Sequence, residues 1–239
     1  MSGSSDDSEH LKNRLLAALP REVLARLSPH FDVIPLEPRQ VLFEGGAPLR
    51  HVYFPHSGVI CLMASMRDGV AETAAIGSEG FVGFEAMLGG TTAANRALVQ
   101  LEGTAARVPI AKLHAAAQQY PLVRDLLLGY VRFFLIQALQ SVACNTLHTV
   151  DERCARWLLM AHDRAGRADT FNLTQEFLAE VLGVHRPSVT IVARTLQNAG
   201  LIRYSRGVIT VTDRKGLEEA ACECYASVRR ALDQILPPT

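Results

Sequence analysis

Arg186, Ser188, Thr190 and Arg194 fall within one short stretch, HRPSVTIVAR, and Arg203, Ser205 and Arg206 follow soon after. Guanidinium groups donate hydrogen bonds in a planar fork that matches phosphate oxygens and the edge of guanine, and small hydroxyls donate to phosphate. From His185 to Lys215 the cations are Arg186, Arg194, Arg203, Arg206, Arg214 and Lys215, against the single carboxylate of Asp213. The whole chain carries 24 Lys plus Arg and 24 Asp plus Glu, a formal net charge of zero. The positive charge is therefore a local patch inside a neutral protein, the footprint of a polyanion.

The surrounding residues read as the elements that present this patch. QEFLAEVL has Phe177, Leu178, Val181 and Leu182 on one helical face, with Thr174 placed to cap it. Gly183 ends that helix, Val184 fills the turn, and a second helix begins near His185 and runs to about Ala199. Val189, Val192, Ala193 and Leu196 share its inner face, while Pro187, Thr190, Ile191 and Arg194 point away and Arg186 and Ser188 lead. This is a helix-turn-helix, whose second helix lays its N-terminal end in a major groove. A helix start offers free N–H groups and positive dipole to phosphate, and Pro187 costs little in the first turn, where its missing N–H has no intrahelical partner. Leu201–Tyr204, then Ser205-Arg206-Gly207, then Val208–Val211 form a hairpin with a basic tip, a wing beside the groove. The residues expected to meet a duplex are Thr174, Gln175, His185, Arg186, Pro187, Ser188, Thr190, Ile191, Arg194, Arg203, Ser205 and Arg206.

The remainder has room for a second module, since 239 residues with 49% hydrophobic content build one large domain or two modest ones. Met1 to about Glu9 is small and acidic and is expected to be disordered, with short helices at Leu11–Leu19 and Glu22–Leu27. From Phe31 to Pro109, short β-prone runs alternate with Gly or Pro every eight to twelve residues, and Arg67-Asp68-Gly69 is a hairpin signal. A small antiparallel roll or barrel follows from that rhythm. Pro121 opens a long apolar helix to about Cys144, either a core helix on the roll or one that also pairs with a twin from a second subunit. In the second case Val123, Leu127, Tyr130, Val131, Phe134 and Ala138 are the expected dimer interface. Another amphipathic helix follows, capped by Asp151 or Thr149, and a last one is expected over about Arg214–Ile235. The division is a tail with short helices (1–27), a sensor roll (28–118), a dimerisation helix and hinge (119–146) and a winged head (147–239).

Other chemistry is sparse. The five cysteines have no disulfide-framework spacing, and Cys222-Glu223-Cys224, inside an expected helix, diverge too far to clamp a metal. His51 and His56 read as structural, and no metal-ligating set is expected. No nucleophile elbow, Walker loop or dinucleotide fingerprint occurs, so an enzyme is not expected. The start lacks the basic and apolar regions of a signal peptide, and no run approaches the ~18 apolar residues of a membrane span. A cytoplasmic protein with no membrane partner is the expectation.

A roll of short strands, a long helix and a winged helix-turn-helix, in that order, resembles the cyclic-AMP receptor protein/FNR family of bacterial transcription regulators. The resemblance covers about Phe31 to Val211 and is most specific over LTQEFLAEVLGVHRPSVTIVARTLQNAGLI and the wing. It implies an α+β fold: an N-terminal antiparallel β-roll of the cyclic-nucleotide-binding, jelly-roll type, a long dimerisation helix and a C-terminal winged helix-turn-helix. It also implies a homodimer, an imperfectly palindromic double-stranded DNA site and RNA polymerase as partners, and a small-molecule effector of unknown identity. The family's recognition pattern Arg-Glu-Thr-Val-x-Arg reads here Arg186-Pro187-Ser188-Val189-Thr190-Ile191. By the resemblance Arg186 contacts a base and Ser188 a phosphate, while Pro187 and Ile191 depart from the pattern and change the target.

The effector pocket departs further. The family's Gly-Glu pair is split here as Gly83-Phe84-Glu85, and Asn95 takes the phosphate-binding place with Arg96 one residue late. One residue along a strand reverses the side chain's direction. A degenerate pocket with no cofactor is the expectation, with Glu85 and Arg96 as a surface pair. A cyclic-nucleotide-gated activator using Glu85 and Arg96, and a protein-binding adaptor without DNA, stay open as alternatives. The iron–sulfur sensor of FNR-type members needs clustered N-terminal cysteines, and none precedes Cys61.

Overall fold

The computed structural model describes residues 6–67, 69–165 and 169–236. Three short helices come first: α1 (Asp6–His10), α2 (Arg14–Ala17) and α3 (Arg21–Leu27). The expected disorder up to Glu9 is corrected over Asp6–Glu9, which is helical; residues 1–5 lie outside the described residues. The cause is anchoring. His10 is buried, with its Nδ1 3.2 Å from Nε2 of the buried His56. Asn13 Nδ2 donates to the carbonyls of Pro55 and Gly80, and its Oδ1 accepts from the Leu15 and Leu16 N–H groups, capping α2.

Burial, with the charge of His10 beside it, lowers the His56 pKa from 6.5 to about 4. The unfolded chain therefore binds more protons than the folded one between those values, and stability is lost as pH falls through that window. The expected loss is up to about 3 kcal/mol. Urea unfolding at neutral pH and at about pH 4.5 measures it, and His56→Gln should flatten the slope. An equally steep slope in that variant would assign the loss to other groups.

The roll consists of β1 (Asp32–Leu36), β2 (Val41–Phe43), β3 (His51–Pro55), β4 (Val59–Met66), β5 (Gly69–Ile76), β6 (Arg96–Leu101) and β7 (Gly103–Pro109). One sheet has the order β1-β7-β3 and the other β2-β6-β4-β5, and every pairing is antiparallel. The expected hairpin joins β4 to β5, with Met66 opposite Gly69; its Asp68 lies outside the described residues. β4 reads VICLM without polar alternation because both its faces are covered. Ile60 and Leu62 enter the roll's core, whereas Val59, Cys61 and Met63 enter a second core shared with the C-terminal domain.

The chain continues through α4 (Ile110–Gln119), α5 (Pro121–Leu147) and α6 (Val150–Arg164). Pro121 stands in the first turn of α5, and Thr149 with Glu152 closes a capping box on α6. On α5, Val123, Leu127, Tyr130 and Phe133 pack into the roll's core, and the Tyr130 ring lies so close over Gly80 that a Cβ there would sit 2.0 Å from it. Val123, Leu127 and Tyr130 are thus corrected as dimer-facing residues, since their own chain buries them. Phe134 lies on Phe84 with ring centroids 4.1 Å apart, also on the roll side, and Val131 and Ala138 are half-buried. The open apolar positions are Leu128, Leu135, Leu139, Val142 and Leu147, together with Leu122 at the helix start. α5 is long and apolar enough by length and composition to cross a membrane, but its roll-facing stripe is already packed.

Arg164, at the end of α6, joins three elements. Its Nε donates to Glu79 Oε1 at 2.7 Å and an Nη to Gln137 Oε1 on α5 at 2.8 Å, all of it buried. Nearby, Trp157 Nε1 donates to Glu72 Oε1 on β5 at 3.2 Å. The winged domain follows as β8 (Thr170–Asn172), α7 (Gln175–Leu182), α8 (Arg186–Asn198), β9 (Ile202–Ser205), β10 (Val208–Val211), α9 (Arg214–Ala220) and α10 (Cys224–Asp233). The expected continuous helix over 214–235 is broken: Ala221 is extended (φ −81, ψ 152) and ends α9 before Cys222.

Candidate nucleic-acid interface

Thr174 caps α7, its Oγ1 accepting from the Phe177 N–H at 3.2 Å, and Gly183 ends it at φ +63, in the left-handed region. α8 starts at Arg186, with Pro187 in its first turn and His185 as an N-cap that makes no side-chain bond. Val189, Val192, Ala193 and Leu196 are buried, which turns His185, Arg186, Pro187, Ile191 and Arg194 to the exterior, Ile191 being 66% exposed. Ser188 is half-buried at the leading turn. Thr190 is held inward by donating to Gln175 Oε1 on α7 at 3.3 Å.

The wing is β9 and β10, paired from Ile202–Val211 to Ser205–Val208. Arg206 (φ +49) and Gly207 (φ +78) form its tip, the positive-φ pair that two-residue hairpins favour. Two features were not read from sequence. β8, only three residues long, adds a third strand along β10, and Tyr204 Oη donates to the Leu173 carbonyl at 2.9 Å, fixing the wing to the entrance of α7. A concavity of about 460 Å³ results, lined by Thr174, Gln175, Arg186, Ser205 and Arg206, with Glu176 beside them. Glu176 Oε1 lies 3.5 Å from the Arg186 guanidinium, both exposed. Arg203 and Arg194 stand outside this groove and are exposed. Arg214 leaves the patch: it bonds Asp163 at 2.8 Å and Tyr225 Oη at 2.7 Å. Among the described residues of this stretch the outward cations are thus Arg186, Arg194, Arg203, Arg206 and Lys215.

In the roll, Gly83 adopts φ +90 before the 3-10 turn Phe84–Leu88. Phe84 packs against α5, and Glu85 Oε1 accepts from the Ala94 N–H at 3.1 Å. Arg96 pairs with Glu44, Nε to Oε2 at 3.3 Å, so the expected Glu85–Arg96 pair does not form; Asn95 is half-buried between them in sequence. A further cluster lies elsewhere. Cys144, His148, Cys222 and Cys224 converge, with possible ligand atoms all within 4.8 Å of one another. The expectation that Cys222 and Cys224 diverge is corrected, because it assumed an unbroken helix through them.

The sequence matches the profile of the cyclic nucleotide-binding domain over residues 33–120 and that of the Crp-like helix-turn-helix domain over residues 152–220. These cover the roll and the winged head in the order found here. The chain belongs to the Crp/Fnr family. It is a Crp/Fnr-type transcription regulator with a DNA-binding helix-turn-helix, and the family's members are not enzymes. None of the curated proteins matches it. Among solved structures, FixK2 from Bradyrhizobium japonicum is similar at 18% identity and a TM-score of 0.70, over 80% of this chain and 98% of that one. The c-di-GMP-responsive regulator CLP of Xanthomonas campestris is similar at 17% identity and 0.65, over 80% and 99%. A CRP-family regulator of Thermus thermophilus gives 18% and 0.62, over 79% and 96%. At these identities the likeness is one of fold.

Proposed function

We propose that this Crp/Fnr regulator works as a cytoplasmic homodimer that reads an imperfect palindrome with α8 and the wing, from a sensor roll whose cyclic-nucleotide pocket is degenerate. The observation that carries it is the groove in which Thr174, Gln175, Arg186, Ser205 and Arg206 come together around the start of α8. His185, Arg186, Pro187, Ser188, Ile191 and Arg194 face the major groove, with Thr190 behind them, and Arg203, Ser205 and Arg206 grip the sugar–phosphate wall. A two-fold dimer reads half-sites one helical turn, ~34 Å, apart. RNA polymerase is the downstream partner. The domains divide as 1–27, 28–118, 119–146 and 147–239.

Selection of bound fragments from random DNA yields the operator. On it, Arg186→Ala should cost roughly 1–3 kcal/mol and relax preference at one base pair. Equal weakening on every sequence would show that Arg186 holds only phosphate. Arg206→Ala should weaken binding to all sequences alike and lower the salt slope by about one ion per head. An unchanged slope would remove the wing from the interface.

Degeneracy is supported by Phe84, which occupies the space between the turn and α5, and by the Arg96 guanidinium lying in ion-pair range of Glu44 rather than of Glu85. Two observations favour the rival, a cyclic-nucleotide-gated activator: Glu85 Oε2 and Arg96 Nε are both buried without a hydrogen-bond partner. Calorimetry with cyclic AMP and cyclic GMP separates the two. Binding that Arg96→Ala abolishes would overturn the degenerate reading.

A further inference from the structure

We propose that Cys144, His148, Cys222 and Cys224 form a four-coordinate site for a single thiolate-preferring divalent ion of the zinc type, at the joint between the long helix and the DNA-binding head. Cys144 and His148 are four apart at the end of α5, so they share one face, and His148 is the residue at which the helix stops. Cys222 lies in the break between α9 and α10, and Cys224, beyond Glu223, is the first residue of α10. A continuous helix would turn residues two apart away from each other; the extended Ala221 lets both thiols reach the same point.

The spacing fits an ion. Zn–S bonds of about 2.3 Å and Zn–N bonds of about 2.0–2.1 Å at tetrahedral angles place neighbouring ligand atoms roughly 3.5–3.8 Å apart. Cys144 Sγ lies 3.5 Å from Cys222 Sγ, and Cys224 Sγ lies 3.5 Å from His148 Nδ1. The widest separation, 4.8 Å, closes with a shift of about 1 Å, within the reach of a side-chain rotation. A set this tight encloses one ion and is too small to span a polynuclear cluster. Three sulfurs and an imidazole select a soft or borderline ion over magnesium or calcium.

The surroundings match this role. His148 Nε2 is 3.3 Å from the Glu223 carboxylate, which holds the proton on Nε2 and leaves Nδ1 free to ligate, the carboxylate–imidazole–metal arrangement. Gln140 Nε2 donates to Cys224 Sγ at 3.0 Å. The three cysteines are buried, whereas Glu223 is exposed and so not required for packing. Binding releases one proton from each thiol that ligates, and no electron is transferred. Arg153 and Arg156 on α6 act electrostatically on Cys144 and offset the net negative charge of three thiolates around a dication. A loaded site fastens the C-terminal segment to the point where the head leaves α5.

The test uses the full chain, reduced and stripped with a chelator. Zinc titrated against a chromophoric chelator should bind one ion per chain, and cobalt should give the intense visible bands and thiolate charge-transfer absorption of a tetrahedral site. Cys222→Ser and Cys224→Ser should each lower the intensity of the charge-transfer band and weaken binding by more than about tenfold. Glu223→Gln, at an exposed position, should keep one ion per chain and weaken it by about 10–100-fold. A pale octahedral cobalt spectrum, zinc affinity unchanged in all three variants, bound inorganic sulfide, or no zinc binding below millimolar concentration would each overturn the proposal. None of these readouts involves DNA, so the site stands or falls apart from the operator reading.

Discussion

A chain carrying Leu135→Asp and Leu139→Asp together should fold, run as a monomer, and lose about 10²–10⁴-fold in operator affinity, because two linked half-site contacts become one. Both positions lie on the side of α5 turned from the roll, 58% and 62% exposed, so the new carboxylates meet water in a single chain. Leu128, Leu135 and Val142 repeat every seven residues, with Val131 and Ala138 at the intervening seam positions. That is the spacing of two helices wound about each other. In a dimer the new carboxylate at 135 lies in the apolar seam of its twin and the one at 139 flanks it, where an unpaired charge is costly. Sedimentation and DNA titration check the two halves of the result. A variant that stays dimeric would place the two-fold axis elsewhere.

Arg164→Leu should lower stability by about 3–5 kcal/mol, the expected cost of stranding a buried charge. Glu79 would keep its carboxylate in the interior without the 2.7 Å bond that now compensates it, and Gln137 would lose its donor. The guanidinium itself keeps its proton: burial opposes the charge, but Glu79, and behind it Tyr130 and Glu72, together outweigh burial and raise the Arg164 pKa. Adding Glu79→Gln removes the stranded charge and should recover a large part of the loss in urea unfolding. A double variant no better than Arg164→Leu alone would show that packing of the long side chain, rather than the charge, accounts for the cost.

The parts of the molecule legible in sequence are those whose signals are local. Thr174, Gly183 and the spacing Val189–Val192–Leu196 define the helix-turn-helix within a window shorter than the motif, and Thr149 with Glu152 marks the start of α6. The long helix was legible as a helix but not as a surface. α5 is apolar on most sides, so nothing in its period says that Val123, Leu127 and Tyr130 meet the roll while Leu135 and Leu139 stay open. Glu79 and Arg164 are separated by 85 residues, and no local pattern joins them. The segment Ala220–Cys224 contains neither Gly nor Pro, so the break that turns Cys222 and Cys224 together is imposed by tertiary packing. One signal there was available: Cys144 and His148 stand four apart on a helix, the spacing of a two-ligand face.

The strand β4 serves as a party wall. Val59, Cys61 and Met63 form part of the lining for the winged head, while Ile60 and Leu62 line the roll. Loosening either room exposes the plaster of the other, so heat or denaturant should not take the two modules down one after the other. Despite its two-module descent, the chain is expected to melt in one cooperative step.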